Sequence, residues 1–332
     1  MLKDNKVTTY ILYAIGEIIL VVVGILIAVN IEDWNEKRKN REVYISVLRE
    51  VQQDLLVDIQ DIERTFTETK DKVVQVDHVL RNRPGPAEYQ ANKSLAKITL
   101  RFWRPLKLDR QSFKKLDNFE TPREFKAIQE DISLLNVRNK YYVEMNSESV
   151  LKVIVEHKHF LMTNTDWFSQ VRAYSDNRPL DKQFVTYLVE DPIYMNRLTY
   201  FGTERLSWFN IALLFYQLEA LRIYKTINRL VGENPISDPK MEELFLLNQE
   251  PDRSLEGRYA AHDQQDTLQI MIKDGTLFTE PAIDTVLVMM SSHKFRSTRF
   301  DIEFDSLATS FILNRHDLLG SDKIKVKYLK IN

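Results

Sequence analysis

Residues 10–42 read YILYAIGEIILVVVGILIAVNIEDWNEKRKNRE, an apolar stretch followed at once by charged residues. As a helix, the apolar part, residues 10–31, would rise about 33 Å, which matches the hydrocarbon thickness of a bilayer. No small-residue cleavage site of the kind found in signal peptides follows it, so we expect an uncleaved transmembrane helix. Tyr10 and Tyr13 at one end and Trp34 at the other are typical of aromatic residues at a membrane interface.

Basic residues flank this span on both sides. Lys37, Arg38 and Lys39 follow it closely, and we assign them to the membrane interface as well. Lys3, Lys6 and the amino terminus precede the span, and Arg41 adds a fourth basic residue after it, so the count of basic residues favours an intracellular position for the large domain. The absence of cysteine and the short basic N-terminus favour the opposite side. Both orientations therefore stay open.

The span contains polar residues within its apolar run. Glu17 lies inside it, and an ionisable group in hydrocarbon costs at least ~2.5 kcal/mol, so such a group usually faces protein or water and marks a function. Glu17 is either shallow enough to reach the interface or protonated, or else it pairs with a residue of an assembled partner span. Asn30 is the second polar residue that we predict to serve coupling or contact within the membrane.

One face of the span carries small residues. Gly16, Leu20, Gly24 and Ala28 recur every four residues, and Gly24 with Ala28 forms a small-xxx-small pair that permits close helix approach. This face predicts packing against another span. The expected partners are therefore the lipid bilayer and either further copies of the chain or another membrane protein.

A long stalk helix is predicted directly after the span. Residues 32–82 contain neither glycine nor proline. Apolar residues follow one another at steps of three and four and form a single helical stripe: Tyr44, Leu48, Val51, Leu55, Ile59, Ile62 and Phe66. The stripe fits a coiled coil between copies, or packing against later helices of the same chain. The sequence RNRPGP at residues 81–86 ends the helix.

The remainder also has helical patterns, so the predicted fold is all-α. After a tail at residues 1–9, the span and the stalk, we expect a helical domain at residues 87–232 and a C-terminal helical region at residues 233–332. Helix starts are predicted at Thr121 and Asp191, where a capping residue precedes proline.

The strongest later helix is predicted from Glu204 to Val231, closed by Gly232. Within the C-terminal region, EPAIDTVLVMMSS at residues 280–292 and FDIEFDSLATSFILNRHDLL at residues 300–319 are predicted to be helical. The final KIKVKYLKIN alternates with a period of two and predicts a strand or a tail.

Composition excludes several functional classes. With 46 basic and 48 acidic residues the chain has no polybasic footprint, so no nucleic-acid partner is predicted. The lack of cysteine excludes thiolate metal sites, disulfides and cysteine nucleophiles. The 8 glycines and 10 prolines leave little material for a phosphate-binding loop or a turn-rich β-sandwich. His157 and His159 would point to different sides of a helix. We therefore predict no catalytic residue, no metal and no cofactor.

A cluster of aromatic residues lies in the strongest later helix. Its members are Trp208, Phe209, Phe215, Tyr216 and Tyr224. The main interpretation is a hydrophobic core, and the alternative is a ligand pocket.

The span and its flank also resemble a known family. Residues 13–18 read YAIGEI, residues 24–28 read GILIA, and residues 34–39 read WNEKRK. These motifs are similar to the N-terminal signature of a family of single-span membrane proteins from Bacteroidota, known as domain of unknown function 6090. The resemblance implies a membrane anchor with a helical domain and implies no activity. We expect a single-pass protein of the bacterial inner membrane.

Three functional classes are compatible with these features. The first, which we favour, is a membrane-anchored helical interaction or scaffold protein of the bacterial envelope that assembles through its transmembrane helix. The second is a sensory or transport-coupled subunit in which Glu17 serves proton or partner coupling and the long helix transmits motion. The third is an enzyme with an unrecognised site, and we expect the protein not to be one.

Overall fold

The fold comprises a long helix, a helical domain and a β-barrel. The computed structural model describes residues 4–101, 103–108, 110–171, 179–232, 249–262, 266–273, 275–280, 285–297, 300–315 and 325–331. Two hydrophobic cores are present in this part of the chain, one in the helical domain and one inside the barrel.

Helix α1, Asp4–Asn82, is continuous from the apolar span into the core of the helical domain. It is exposed on all sides over residues 13–42, and its burial begins at Tyr44. From there the predicted stripe is buried against the same chain, mainly against the last helix of the domain. The stripe therefore packs against later helices of the same chain, which was the second of the two predicted alternatives. A coiled coil has no support in the structure.

The helical domain continues through short helices to a pair of long ones. The helices after α1 are α2 Pro86–Ala91, α3 Lys93–Ala96, α4 Gln111–Leu116, α5 Lys126–Leu134, α6 Lys140–Asn164, α7 Lys182–Glu190, α8 Pro192–Thr199 and α9 Ser207–Val231. Single 3₁₀ turns lie at Arg123–Phe125 and Phe168–Gln170. Two π-helical segments, Leu135–Asn139 and Tyr200–Leu206, lead directly into α6 and α9.

Two predicted helix boundaries are confirmed. The Asp191 side chain accepts a hydrogen bond of 2.7 Å from the Ile193 amide and so caps α8, which begins with Pro192. Helix α9 ends at Gly232, whose φ of 74° is the left-handed conformation that glycine adopts without strain. Tertiary packing was not needed to recognise either end.

The C-terminal part is a closed antiparallel barrel of eight strands. The strands are β1 Gly257–Ala261, β2 Thr267–Lys273, β3 Thr276–Glu280, β4 Thr285–Ser291, β5 Lys294–Arg296, β6 Phe300–Phe304, β7 Ser310–Arg315 and β8 Lys325–Ile331. Each strand pairs with the next, and β8 closes the barrel on β1 with Ala260 opposite Leu329. Closure leaves no unpaired sheet edge among these strands.

Aromatic and aliphatic side chains fill the barrel interior. Tyr259, Phe295, Phe304 and Phe311 are buried there, and the Phe311 ring stacks on Tyr328 with centroids 4.8 Å apart. The barrel is therefore a packed core. It adjoins the helical domain through β4 and α9, and the Lys225 ammonium of α9 also donates to the carbonyl of Gln249, which precedes the barrel, at 3.3 Å.

The all-α prediction is wrong, since residues 257–331 hold the barrel where a helical region was expected. The segment predicted to be helical at residues 280–292 contains β4, and residues 300–315 form the hairpin of β6 and β7. Short apolar runs do not distinguish a buried strand from a helix by periodicity. The alternation in β6, with residues 300, 302 and 304 buried, was the available signal.

The turn between β6 and β7 contains no glycine, which explains why the low glycine content did not exclude a β structure. Between β6 and β7 the Asp305 carboxylate accepts hydrogen bonds from the Thr309 amide at 2.8 Å and from the Ser310 hydroxyl at 2.9 Å. The hydrogen bond of 2.6 Å from the Thr309 hydroxyl, together with these two bonds, holds the pKa of Asp305 well below its usual range. Ala308 adopts a φ of 53° in this turn. A carboxylate with hydroxyl neighbours thus replaces the glycines that a turn-rich β structure was expected to need.

Candidate functional site

A concave surface of the described helical domain lies between α6 and α9. We call it the α6–α9 groove. Its volume is about 660 Å³. The lining residues are Arg138, Asn139, Tyr142, Met145, Asn146, Arg205, Trp208, Ile211, Ala212 and Phe215. Because its aromatic side chains stay accessible, the groove is a candidate binding surface.

The two helices that form the groove run antiparallel. Near one end Asp131 of α5, which continues through the π-helical segment Leu135–Asn139 into α6, pairs with Arg222 of α9 at 2.9 Å. Towards the other end Trp103 contacts both helices. Its indole donates to the Ser147 carbonyl of α6 at 3.0 Å, and its ring packs edge-on against Phe209 of α9. Increasing residue numbers on α6 therefore correspond to decreasing numbers on α9.

Each groove wall begins in a π-helical segment. In such a segment the amide hydrogen bond spans five residues, as in the bond from Lys140 to the Leu135 carbonyl and from Ser207 to the Gly202 carbonyl. The Ser207 hydroxyl also donates to the Gly202 carbonyl at 2.9 Å. A Cβ atom at Gly202 would lie 2.4 Å from a methyl carbon of Val76 on α1, so this segment requires glycine for its close approach to α1.

Two arginines lie at opposite ends of the groove. Arg138 donates from Nε to Asn139 at 3.1 Å, and Arg205 donates from Nε to the Tyr200 hydroxyl at 3.0 Å. The Arg205 guanidinium also lies over the Tyr200 ring, 4.7 Å from its centroid. Within the described part of the chain neither guanidinium forms an ion pair. Both groups are held in position with positive charge available to an occupant.

The aromatic cluster predicted in α9 divides into two sets. Phe209, Tyr216 and Tyr224 are fully buried, as the core interpretation requires. Trp208 and Phe215 are 55% and 49% exposed and line the groove, which corresponds to the pocket alternative. The sequence signal for this division was that α9 carries apolar residues on two faces, of which only one can face the domain core.

Sequence reasoning missed the arginines and the α6 wall. Tyr142 and Met145 were not assigned to a site, although both are exposed side chains on a helix that also has a buried face. Arg138 and Arg205 carry no motif. Only the antiparallel packing of α6 and α9 brings these four residues to one surface.

The predicted span residues lie apart from the rest of the chain. Glu17 and the packing-face residues Gly16, Leu20, Gly24 and Ala28 are exposed on α1, and an added Cβ atom at Gly16 or Gly24 would meet no atom within 4 Å. One helix of the described chain is long and apolar enough to cross a membrane, with a mean hydropathy of 2.6 over its apolar window. The structure places the polar group and the small face on a surface that its own domain leaves uncovered.

The residues assigned to coupling and to the interface are also exposed. The Asn30 amide donates to the Leu26 carbonyl at 2.8 Å, so it is satisfied within its own helix. Arg38 lies over the Trp34 ring, 5.5 Å from its centroid. The side chains of Tyr13, Lys37 and Lys39 are exposed on α1. The Tyr10 side chain lies outside the described residues.

A buried histidine is the clearest titratable group in the domain core. His157 on α6 is 1% exposed, and its ring nitrogens lie 2.9 Å from the Thr99 hydroxyl and 2.9 Å from the Tyr187 hydroxyl. Burial, reinforced by the nearby Arg197, lowers the pKa of His157 to about 3. A neutral, hydrogen-bonded imidazole enclosed by tyrosines is a structural element of this core. His159, by contrast, is exposed.

A second polar cluster joins α1 to the domain. Asp58 on α1 is fully buried, accepting hydrogen bonds from Arg110 Nε at 2.8 Å and from the Tyr216 hydroxyl on α9 at 2.6 Å. Burial raises the pKa of Asp58 to about 6, and the bonds from Tyr216 and Arg110 oppose that rise. Arg110 also contacts Asp61 at 3.2 Å. This cluster fixes the position of α1 against α9.

Comparison with known proteins gives one match. Residues 17–84 match the sequence model of a family of unknown function, DUF6090. No curated protein and no solved structure matches the chain. The matched segment includes most of the span and all of the stalk, whereas the α6–α9 groove and the barrel lie outside it. The resemblance predicted from the span is therefore confirmed: over residues 17–84 the chain resembles the DUF6090 family.

Proposed function

We propose that this chain is a membrane-anchored interaction or scaffold protein of the bacterial envelope that assembles through its transmembrane helix. The observation that supports the proposal most directly is the continuity of α1, which is exposed over residues 13–42 and buried in the helical domain from Tyr44 onward. A single helix without glycine or proline between these parts holds the domain at a defined height. The inner membrane of a bacterium is the proposed location.

The height of the groove follows from the helix geometry. Asp58 contacts Tyr216, and Thr69 is hydrogen-bonded to Asn210, so the α9 wall of the groove lies beside this part of α1. At 1.5 Å per residue these two positions are roughly 35 to 50 Å beyond Trp34. The groove is thus displayed to proteins outside the bilayer, as a scaffold requires.

Assembly through the span predicts a strong effect of Gly24→Leu. Leucine would fill the small face at Gly24 and prevent close approach of a neighbouring helix, so we expect a lower oligomer mass or loss of a co-purifying membrane protein. The measurement is native mass spectrometry of the full-length protein in mild detergent. Val22→Leu, on the opposite face of the span, is the control and should leave the mass unchanged. An unaltered mass for Gly24→Leu would refute assembly through this face.

The second candidate is a sensory or transport-coupled subunit. It is favoured by the polar contacts between α1 and α9, where Gln52 donates to Asn228 at 2.5 Å and Gln217 donates to Glu63 at 2.8 Å. Since polar contacts of this kind are directional, a rotation of α1 would break them. The span and the domain share that helix, so such a rotation would transmit a change at Glu17 to α9.

Glu17→Gln separates the two candidates. Under the assembly proposal the variant loses the oligomer or partner, because the amide cannot replace a charged or proton-sharing contact in hydrocarbon. Under the coupling alternative the assembly is retained, while the wild type alone shows a change with pH in the protection of residues 44–66, measured as the exchange rate relative to the intrinsic rate at each pH. Both proteins would be compared in lipid nanodiscs at pH 5.5 and pH 8. Identical masses together with identical exchange would exclude a role for Glu17 in either candidate.

A further inference from the structure

We propose that the α6–α9 groove binds an acidic amphipathic helix of a partner protein, with carboxylates at Arg138 and Arg205 and apolar side chains between them. The proposal rests on the interaction function proposed above and names the chemistry of the partner. It concerns a surface outside the matched family segment.

The composition of the groove is that of a protein interface. Tryptophan, tyrosine, phenylalanine, methionine and arginine are the residue types enriched at the centres of interfaces, and Trp208, Tyr142, Phe215 and Met145 represent the first four here. No lysine, aspartate or glutamate is among the described residues that line the groove. Methionine and the aromatic rings adapt to varied apolar partners, which suits a scaffold.

The shape of the groove favours a helix over a small molecule. Small-molecule sites enclose most of the ligand surface, whereas this groove is open along its length and leaves Tyr142 and Trp208 about half exposed. Two antiparallel helices form a continuous furrow that receives the ridge of a third helix. Val137 and Tyr141, which precede the lining residues Arg138 and Tyr142 in the sequence, are also exposed apolar side chains, at 69% and 61%.

The charges at the ends set the spacing of acidic groups on the occupant. Arg138 lies at the Phe215 end and Arg205 near Asn146, because α6 and α9 are antiparallel. The eight residues from 138 to 146 rise about 12 Å, or roughly two helical turns. A partner helix with carboxylates seven or eight residues apart would therefore meet both guanidinium groups, with its apolar face between them.

Two other occupants fit less well. The groove is roughly 35 to 50 Å beyond Trp34 along α1, too far for lipids of the anchoring bilayer to reach it. A second copy that docked by the same groove would bring arginines against arginines without a lining carboxylate to neutralise them. Charge complementarity thus selects an acidic partner.

The test uses the full-length protein in nanodiscs and a displayed library of 16-residue helical peptides with randomised surface positions. Counter-selection against Trp208→Ala/Phe215→Ala removes peptides that bind elsewhere. We expect groove-dependent peptides that carry acidic residues seven or eight apart on either side of an apolar stripe. Enrichment of basic or uncharged peptides, or no groove-dependent enrichment, would overturn the proposal.

Charge reversal tests the same point on the selected peptides. Arg138→Glu/Arg205→Glu should weaken binding of the acidic peptides by roughly tenfold or more and should create binding of the matched peptides with lysine at the acidic positions. Arg104→Glu, an exposed arginine outside the groove, should change neither affinity. Equal affinities of wild type and the double variant for both peptide sets would contradict the assigned role of the arginines.

A competition measurement addresses diffusible amphiphiles. If dodecanoate at low micromolar concentration occupies the groove and no displayed peptide does, the site binds a small anion and the helix proposal is wrong. The span experiments are independent of this result, because Gly24→Leu and Glu17→Gln lie far from the groove. A failed peptide selection with intact span-dependent assembly would remove the groove proposal and leave the scaffold proposal standing.

Discussion

His157→Gln is expected to protect the helical domain against acid. In the native state the pKa of His157 is about 3, against an ordinary value of 6.5, so the unfolded chain binds more protons between these pH values. The stability contributed by the neutral ring is complete above pH 6.5 and is lost as the pH falls towards 3. At pH 4 the expected loss is about 3 kcal/mol, which the non-titrating glutamine would avoid.

The measurement is urea unfolding of the full-length protein at pH 7 and pH 4, followed by tryptophan fluorescence. All four tryptophans precede the barrel, and Trp103 and Trp167 are buried in the helical domain, so this signal reports the domain directly. His159→Gln is the matched control, because His159 is exposed on the same helix. A wild type and a His157→Gln variant that lose equal stability between pH 7 and pH 4 would show that His157 titrates normally.

Arg110→Met is expected to destabilise the helical domain by about 3 kcal/mol at pH 8, because it leaves the carboxylate of Asp58 buried without its cation. The estimate takes the lower end of the usual range, since the Arg110 side chain is 22% exposed. The loss should be smaller at pH 5. There Asp58, whose pKa is already raised to about 6, is largely protonated and carries no charge to be compensated.

Two further variants test this explanation of the Arg110 effect. Asp58→Asn/Arg110→Met should recover most of the lost free energy of unfolding at pH 8, because no buried charge remains. Arg64→Met is the surface control: Arg64 pairs with Asp61 at 2.9 Å but is 71% exposed, so its loss should cost less than ~0.5 kcal/mol. If Arg110→Met lowers the free energy of unfolding equally at pH 5 and pH 8, the cause is the loss of side-chain packing and not the uncompensated charge of Asp58.

The long apolar helix and its continuation to residue 82 were predictable because their signals are local. Continuous apolarity over a membrane-spanning length and the absence of helix breakers depend only on neighbouring residues. The caps at Asp191 and Gly232 are local as well. The surface that covers the stalk stripe was not predictable. The same apolar face would be needed for packing against another copy of the chain and for packing against α9.

The barrel was missed because several of its strands are short and each is stabilised by pairing with its neighbours. β5 has three residues and β6 has five, too few for the alternating pattern to outweigh a helical interpretation of the surrounding apolar run. Asp305, Thr309 and Ser310 form the β6–β7 turn with side-chain hydrogen bonds. Polar residues of this kind also begin helices, so their role was ambiguous without the paired strands.

The sequence by itself determined the long apolar helix, its uninterrupted continuation to residue 82 and the helix ends at Asp191 and Gly232, since each depends on residues close along the chain. Tertiary structure alone decided that β8 closes a barrel on β1, that Asp58 is buried between Arg110 and Tyr216, and that Arg138 and Arg205 flank one groove. These arrangements join residues tens of positions apart. Their energy comes from burial and pairing across the fold, which no local pattern of residues encodes.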